Sequence, residues 1–178
     1  MSDDSLPPVL ENPPLTYTSY LMVNELIDLQ RPLSEPAHHD ELLFIQIHQV
    51  YELWFKQLLH EVDAAIECLK ADNVLPVHKI LKRVTTIQDV LSAQLAVLET
   101  MTPQDFSVFR ERLNPASGFQ SYQFRELEYV SGSKDRRYLP FHKKNPPALA
   151  RLEARLEAPT LWDEFCALLH RRGFDVAA

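Results

Sequence analysis

His48 is the side chain of this sequence that its neighbours best equip for chemistry. If the surrounding stretch is helical, Phe44 lies one turn before it, and Tyr51 and Glu52 lie one turn after it on the same face. An aromatic wall with one imidazole suits a flat heteroaromatic ligand, because the rings supply stacking area and the imidazole supplies one directional hydrogen bond. The same spacing is also typical of a hydrogen-bonded packing histidine, and spacing alone leaves both interpretations open.

Arg110 is the second candidate, because it follows Phe106 by one turn and precedes a stretch with loop chemistry, Leu113 to Ser121. A guanidinium group is a planar fork of donors that matches a carboxylate with two parallel hydrogen bonds. A salt bridge to a nearby acid such as Glu128 explains the same residue, and from the sequence that interpretation ranks first.

Other catalytic and metal-binding patterns are weak. The one Glu-x-x-His match to a helical di-iron motif, Glu35 to His38, has a proline inside it. His48 and Glu52 could hold a metal as an i, i+4 pair, but they could equally form a surface hydrogen bond. Cys68 and Cys166 have no local catalytic partner and are expected to be packed thiols.

Composition narrows the function classes. The formal net charge of −7 argues against nucleic acid as a partner, because no basic stripe could neutralise phosphates. No run of about 18 apolar residues predicts a membrane span, and the acidic, proline-rich N-terminus does not resemble a signal sequence, so a cytoplasmic protein is expected. With 3 glycines in the chain, phosphate-cradling and dinucleotide-binding loops are excluded.

The elements that must position these residues are helical. One long helix is predicted from His38 to Leu69, with Asp40 as its N-cap and Glu41 on its polar face. Its apolar arc is wider than one neighbour can cover, so we expect it to be packed on several sides. A second long helix, from Pro76 to about Thr100, should pair with it in antiparallel fashion.

Shorter helices complete the prediction. They are one helix from Tyr17 to Leu29, one opened by Thr102 and Pro103, one from Tyr122 to Val130, one after a polar linker from Ser131 to Lys144, and a last one that Thr160 caps and Gly173 ends. The predicted fold class is all-α, a helical bundle with two long antiparallel helices. Residues 1–15 are expected to be a disordered arm, and residues 16–178 a single domain.

Several strings of the sequence are specific enough to indicate a family. HDELLFIQIHQ at 39–49, ELWFK at 52–56 and LNPASGFQS at 113–121 closely resemble the tryptophan 2,3-dioxygenase family. Shorter matches at Leu15–Tyr17, Tyr20–Leu21, Phe109–Arg110 and 123–125 extend the likeness. The resemblance implies an all-helical, haem-containing homotetramer that adds O₂ across the C2–C3 bond of L-tryptophan, giving N-formylkynurenine in tryptophan catabolism by the kynurenine pathway.

The resemblance also implies roles for matched residues. His48 would be the catalytic distal histidine near the indole N–H, in a substrate-binding stretch comprising Phe44, Ile45, Gln46, Ile47 and His48. Phe106 would be an aromatic substrate contact, where many members have tyrosine, and Arg110 would hold the substrate carboxylate.

Two further groups of residues receive roles in the same way. Ser117 and Gly118 would border the haem. Tyr17, Tyr20 and Leu21 resemble a segment that reaches into a neighbouring subunit's substrate pocket.

One departure from the family is serious. The family's axial histidine on iron and a Gly-Thr-rich closing loop lie C-terminal to the matched region, and the sequence ends at Ala178 before either of them. His170 does not match the surroundings of that ligand, so the metal ligand stays unknown. Three explanations remain: the N-terminal portion of a dioxygenase, a homologue that binds indoles without oxidising them, or a helical interaction protein.

Self-association is expected, because the long helices should otherwise expose apolar faces.

Overall fold

The computed structural model describes residues 14–176. The predicted N-terminal arm, residues 1–15, therefore lies almost wholly outside the described residues. The chain divides into two compact units, one that ends at Arg31 and one that begins at Pro32. The assignment of residues 16–178 to a single domain stays a prediction.

The first unit contains two short helices, α1 (Tyr17–Leu21) and α2 (Val23–Ile27). Thr16 caps α1, with its hydroxyl accepting a hydrogen bond from the Ser19 amide. Between the helices Met22 has a φ of 52°, in the left-handed region, which interrupts the helical hydrogen-bond ladder. The prediction of one continuous helix from Tyr17 to Leu29 is therefore wrong.

The second unit is built on a long antiparallel pair, α3 (His39–Lys70) and α4 (Leu75–Leu98). Hydrogen bonds join early α3 to late α4, with the Tyr51 hydroxyl donating to the Leu91 carbonyl at 2.7 Å, and an ion pair joins Glu61 to Arg83 at 2.7 Å. Pro76 lies in the first turn of α4, where its missing N–H costs no helical hydrogen bond. Both long helices and their pairing confirm the prediction.

The start of α3 differs from the expectation. His38, not Asp40, is the N-cap, and its Nδ1 accepts a hydrogen bond from the Asp40 amide. Glu41 does not lie on a solvated face: it is 0% exposed and accepts hydrogen bonds from the amides of Leu33 and Ser34 and from the Ser34 hydroxyl. Helical periodicity does not predict this burial, because Leu33 and Ser34, the residues that cover Glu41, precede the helix.

Four shorter α-helices follow, and three 3₁₀ helices join them. The α-helices are α5 (Pro103–Arg110), α6 (Tyr122–Val130), α7 (Pro146–Glu157) and α8 (Leu161–Arg171). The 3₁₀ helices are Glu111–Leu113, Gly118–Gln120 and Arg136–His142. The last of these corrects the predicted linker, since Asp135 caps it and His142 is buried. Residues 14–176 contain no strand, so the all-α prediction is confirmed.

The helix α3 is packed on several sides, as its wide apolar arc predicts, by α4, α5, α6 and α8. Its C-terminal half forms the core, with buried clusters made by Ala65, Leu69, Val77 and Leu168 and by Val62, Ile66 and Val130. Its N-terminal half contacts α5 and carries Phe44 and His48. None of the helices in the described part of the chain is long and apolar enough to cross a membrane.

Candidate functional site

A cavity of about 640 Å³ lies in the second unit between α3, α5 and the loop that follows α5. It is lined by Phe44, Phe106, Arg110, Glu111, Leu113, Asn114, Ala116, Ser117 and Gly118. Helix α3 contributes one aromatic ring, α5 contributes a ring and a guanidinium group, and the loop contributes small and polar residues.

The apolar wall of the cavity consists of stacked rings. The Phe44 and Phe106 rings lie 5.4 Å apart between centroids and are inclined by 26°. Phe109 is 0% exposed and lies behind them, with its ring edge-on to both at 5.7 and 5.4 Å. Edge-to-face and offset contacts at these separations stabilise aromatic clusters, so Phe109 holds the Phe44 and Phe106 rings in place.

Arg110, the last residue of α5, borders the same cavity. Its Cζ lies 5.8 Å from the centre of the Phe106 ring, and within residues 14–176 it has no hydrogen-bond or ion-pair partner. Glu128, the acid that the sequence offered as its partner, pairs instead with Arg125 at 2.6 Å. The expected salt bridge is absent, and the Arg110 guanidinium is available to an anionic ligand.

His48 lies one turn after Phe44, with 4.2 Å between the two ring centroids. Its Nδ1 lies 2.7 Å from the carbonyl oxygen of Phe44. A carbonyl can only accept, so Nδ1 carries the proton and donates, and in the neutral imidazole Nε2 is left as an acceptor. The cavity lining within the described residues does not include His48; its ring contacts the lining through Phe44.

The alternative pairing of His48 with Glu52 is not formed. The Glu52 carboxylate accepts hydrogen bonds from the Ser121 hydroxyl at 2.6 Å and from the Gln123 side-chain amide at 2.7 Å. Within residues 14–176, no group of three or more His, Cys, Asp or Glu residues could hold a metal ion.

The loop wall of the cavity is ordered by its own hydrogen bonds. Ser117 caps the 3₁₀ helix Gly118–Gln120, and its hydroxyl accepts from the Phe119 amide at 3.3 Å. The Ser117 amide in turn donates to the side-chain oxygen of Gln120 at 3.3 Å. The cavity lining includes Ser117 and Gly118, the two residues that the resemblance placed beside the haem.

The remaining predicted site residues lie elsewhere. Ile45 is half-buried, Gln46 is exposed and Ile47 is buried, and none of the three lines the cavity. Tyr17, Tyr20 and Leu21 belong to the first unit and are exposed, so their proposed reach into a neighbouring subunit stays a prediction.

Sequence reasoning missed part of the lining and the contact that secures it. The cavity is also lined by four residues that the sequence did not indicate individually, Glu111, Leu113, Asn114 and Ala116. The last three belong to the LNPASGFQS loop, which the sequence did indicate. The hydrogen bonds from Ser121 and Gln123 to Glu52 had no local signal, because about 70 residues separate the partners.

The residues present fit an organic ligand but do not supply an iron ligand. Haem iron takes an axial histidine, cysteine, methionine or tyrosine from the protein. None of the 9 residues that line the cavity is of these types. The described residues therefore provide ring walls and an anion-binding group, and no step is assigned to a haem in this cavity.

A stacked ring wall and a guanidinium without a partner among residues 14–176, with an imidazole packed behind one of the rings, define an all-α protein whose cavity suits a flat ligand with an acid group. Comparison with known proteins gives the family. The sequence model described as "Tryptophan 2,3-dioxygenase" matches residues 8–159. The chain belongs to the tryptophan 2,3-dioxygenase family.

Individual relatives agree with the family match. A tryptophan 2,3-dioxygenase of Nocardioides sp. is 56% identical over 165 residues, which cover 90% of this chain and 62% of the relative. A tryptophan 2,3-dioxygenase of Caulobacter vibrioides is 49% identical over 162 residues, covering 91% of this chain and 61% of the relative. One of Herpetosiphon aurantiacus is also 49% identical, with 62% of the relative covered. The chain thus spans about three fifths of the length of these relatives.

Proposed function

We propose that the cavity binds L-tryptophan and that the chain acts in the oxidation of this amino acid by O₂ to N-formylkynurenine. Arg110 carries the proposal: it is a guanidinium without a partner in the described chain, beside the stacked rings of Phe44 and Phe106. Its planar fork can bind the α-carboxylate with two parallel, charge-assisted hydrogen bonds. The family match and the relatives' names support the same substrate.

Each side chain has a separate task in this proposal. The Phe44 and Phe106 rings provide a flat apolar surface for the indole ring. His48 accepts the indole N–H with Nε2, because its Nδ1 proton is committed to the Phe44 carbonyl. Withdrawing that proton partly raises the electron density of the indole C2–C3 bond, which the reaction breaks. The protein's part is to bind, orient and exclude water.

The cofactor and assembly are proposed on the family resemblance. Haem iron supplies the activation of O₂ in this family, and Ser117 and Gly118 would border the porphyrin. A homotetramer in the cytoplasm, with Tyr17, Tyr20 and Leu21 completing a neighbouring subunit's site, is proposed on the same ground. L-Tryptophan binding by the chain can be tested without haem and without the tetramer.

The proposal is tested by replacing Arg110. Isothermal titration should show L-tryptophan binding by the purified chain, and Arg110→Met should weaken it by about 10- to 100-fold, because a hydrogen-bonded charge contributes about 1.5–3 kcal/mol. Binding of 3-methylindole, which lacks the carboxylate, should be the same in both proteins. Arg112→Met is the matched control, since Arg112 donates to the Glu35 carbonyl at 3.3 Å instead of lining the cavity.

Equal L-tryptophan affinities in the Arg110→Met variant and the unaltered chain would refute the assignment of Arg110. Absence of L-tryptophan binding by the unaltered chain would refute the proposed function itself.

A second candidate is an indole-binding homologue that does not oxidise its ligand. It rests on the same lining, since stacked rings and a guanidinium suffice to bind a flat acid. Absorption spectra of the chain with haemin, L-tryptophan and O₂ separate the two. A haem band with formation of N-formylkynurenine supports oxidation, and L-tryptophan binding without either supports the binding protein.

A further inference from the structure

Glu52 joins the helix of the ring wall to the end of the loop wall. It lies on α3 one turn after His48 and two turns after Phe44. Its carboxylate accepts hydrogen bonds from the Ser121 hydroxyl at 2.6 Å and from the Gln123 side-chain amide at 2.7 Å. The same amide group of Gln123 also donates to the Glu52 backbone carbonyl at 3.0 Å.

Ser121 makes this connection rigid, because its hydroxyl is used twice. It donates to Glu52 and accepts from the Phe124 amide at 3.2 Å as the N-cap of α6. The Ser121 amide donates to the Gly118 carbonyl at 3.1 Å, which closes the 3₁₀ helix whose first residue, Gly118, lines the cavity. One carboxylate on α3 therefore fixes the point where the cavity loop ends and α6 begins.

The cavity side of the loop has weaker support. Ser117 and Gly118 are exposed, and Gly118 has no atom within 4 Å of the position that a Cβ would occupy. On the outer side, Phe119 stacks on Tyr138 and Phe141 at 6.1 and 5.9 Å, which holds the loop against the 3₁₀ helix Arg136–His142. That contact sets where the loop lies against its outer neighbour but not how far it lies from α3.

We infer that Glu52 is a positioning residue, which holds the Ala116–Gly118 wall at a fixed distance from Phe44 and His48 and so sets the width of the cavity. The inference rests on the proposed function, because the width matters only if the cavity binds L-tryptophan. The effect is transmitted through Ser121 and Gln123; Glu52 itself does not line the cavity. We call the hydrogen bonds of Glu52 with Ser121 and Gln123 the tether. Loss of the tether should let the loop wall move away from α3, while α5 holds Arg110 and Phe106 in place.

A second carboxylate on the same helix provides a matched control. Glu61 accepts hydrogen bonds from the Gln57 side chain at 2.6 Å and from Arg83 at 2.7 Å, so it has as many charge-assisted contacts as Glu52. Its partners lie on α3 and α4, away from the loop. Glu61→Ala should therefore lower the midpoint of thermal unfolding as Glu52→Ala does, without releasing the cavity wall.

The experiment measures L-tryptophan dissociation constants and amide hydrogen exchange in the full chain. Glu52→Ala and Gln123→Ala should each raise the dissociation constant about tenfold, and exchange at the Gln120 and Ser121 amides should become faster. Glu61→Ala should change neither quantity by more than about twofold.

Unchanged dissociation constants in Glu52→Ala and Gln123→Ala, with normal binding by the unaltered chain, overturn the inference and leave the proposed function standing. So does an equal effect of Glu61→Ala, which would mean that stability alone controls binding. If the unaltered chain binds no L-tryptophan, the proposed function fails. The tether is then judged by hydrogen exchange, and equal exchange in Glu52→Ala and Glu61→Ala overturns it. Should Glu52→Ala not fold, Gln123→Ala decides the same question.

Discussion

The chemistry available at the cavity depends on which hydrogen-bonding groups are left unused. The Nδ1 of His48 donates to the carbonyl of Phe44, one turn earlier on the same helix, which leaves Nε2 as an acceptor. Arg110 makes no ion pair within the described residues, and Glu128, the acid that the sequence offered as its partner, is bound to Arg125. A ligand with one N–H donor and one carboxylate therefore complements the site, and L-tryptophan has both.

The role of His48 can be tested by removing the donor from the ligand. We expect 1-methyl-L-tryptophan, which lacks the indole N–H, to bind about fivefold more weakly than L-tryptophan, since one hydrogen bond contributes about 1 kcal/mol. In His48→Leu this difference should vanish, because no acceptor remains. Titration calorimetry of both ligands with both proteins gives the comparison.

His60→Leu serves as the control for that measurement. His60 is exposed on the same helix but lines a separate cavity beside Asp63 and Arg151. Its replacement should leave the preference for L-tryptophan intact. Persistence of the preference in His48→Leu would show that the extra methyl group clashes elsewhere and that His48 does not accept the indole N–H.

At the scale of the elements, the first turn of α3 is secured by a buried acid. Glu41 accepts hydrogen bonds from the amides of Leu33 and Ser34 at 2.7 and 2.9 Å, and the Ser34 hydroxyl accepts from the His38 amide at 2.8 Å. A carboxylate near a helix N-terminus is favoured by the helix dipole. The cluster fixes the start of the helix that carries Phe44 and His48.

This cluster predicts a pH dependence of stability. Burial raises the pKa of Glu41, but the hydrogen bonds from Ser34 and Leu33 outweigh it and hold the pKa below its ordinary value of 4.5. A carboxyl group whose pKa is lower in the folded state stabilises the fold above its unfolded pKa. That contribution is lost as the pH falls from about 4.5 through the folded pKa.

Glu41→Gln should lower the free energy of unfolding at pH 7 by about 1–3 kcal/mol, because buried amides lose a charged acceptor. It should also make stability depend less on pH in the acid range. Urea denaturation followed by circular dichroism between about pH 7 and pH 3 measures both effects. Glu67→Gln is the control, since Glu67 pairs with Lys70 on the surface and should change stability by less than about 0.5 kcal/mol. Parallel stability profiles for Glu41→Gln and the unaltered chain would contradict the prediction.

At the scale of the whole molecule, apolar side chains remain exposed at one end of the long helical pair. They include Leu42, Val50 and Leu53 near the start of α3 and Val90, Leu95 and Val97 near the end of α4. These two regions are neighbours, because the helices are antiparallel. Exposed apolar side chains of this kind are typical of protein interfaces, and a second copy of the chain is the partner that the proposed homotetramer would supply.

Self-association is therefore expected for the isolated chain. Sedimentation velocity at micromolar concentration should show species larger than a monomer, and Leu53→Glu with Val97→Glu should shift them towards monomer because charges would be buried at the contact. Leu75→Glu is the control: Leu75 is 87% exposed, against 52% for Leu53, but it lies at the opposite end of α4. A monomeric unaltered chain at this concentration would count against the expectation.

The sequence by itself determined the two long helices, most of the shorter ones and the family. Thr102 and Thr160 each begin a helix by capping its amides, and Pro76 and Gly173 mark a helix start and a helix end, all within a few residues. Such signals are local, since the hydrogen bonds and dihedral angles that produce them involve near neighbours in the chain. The motif around His48 and the LNPASGFQS loop indicated the family because each is a continuous stretch of sequence.

Only the tertiary structure decided which side chains are free and which are held. It left Arg110 without a partner among residues 14–176, buried Glu41 under the segment before its helix, and connected Glu52 to Ser121 at 2.6 Å. It also left Ile45, Gln46, Ile47 and His48 out of the cavity lining, although the resemblance assigned all four to the substrate site. These outcomes depend on how distant segments pack and compete for the same polar groups, and neither periodicity nor capping carries that information.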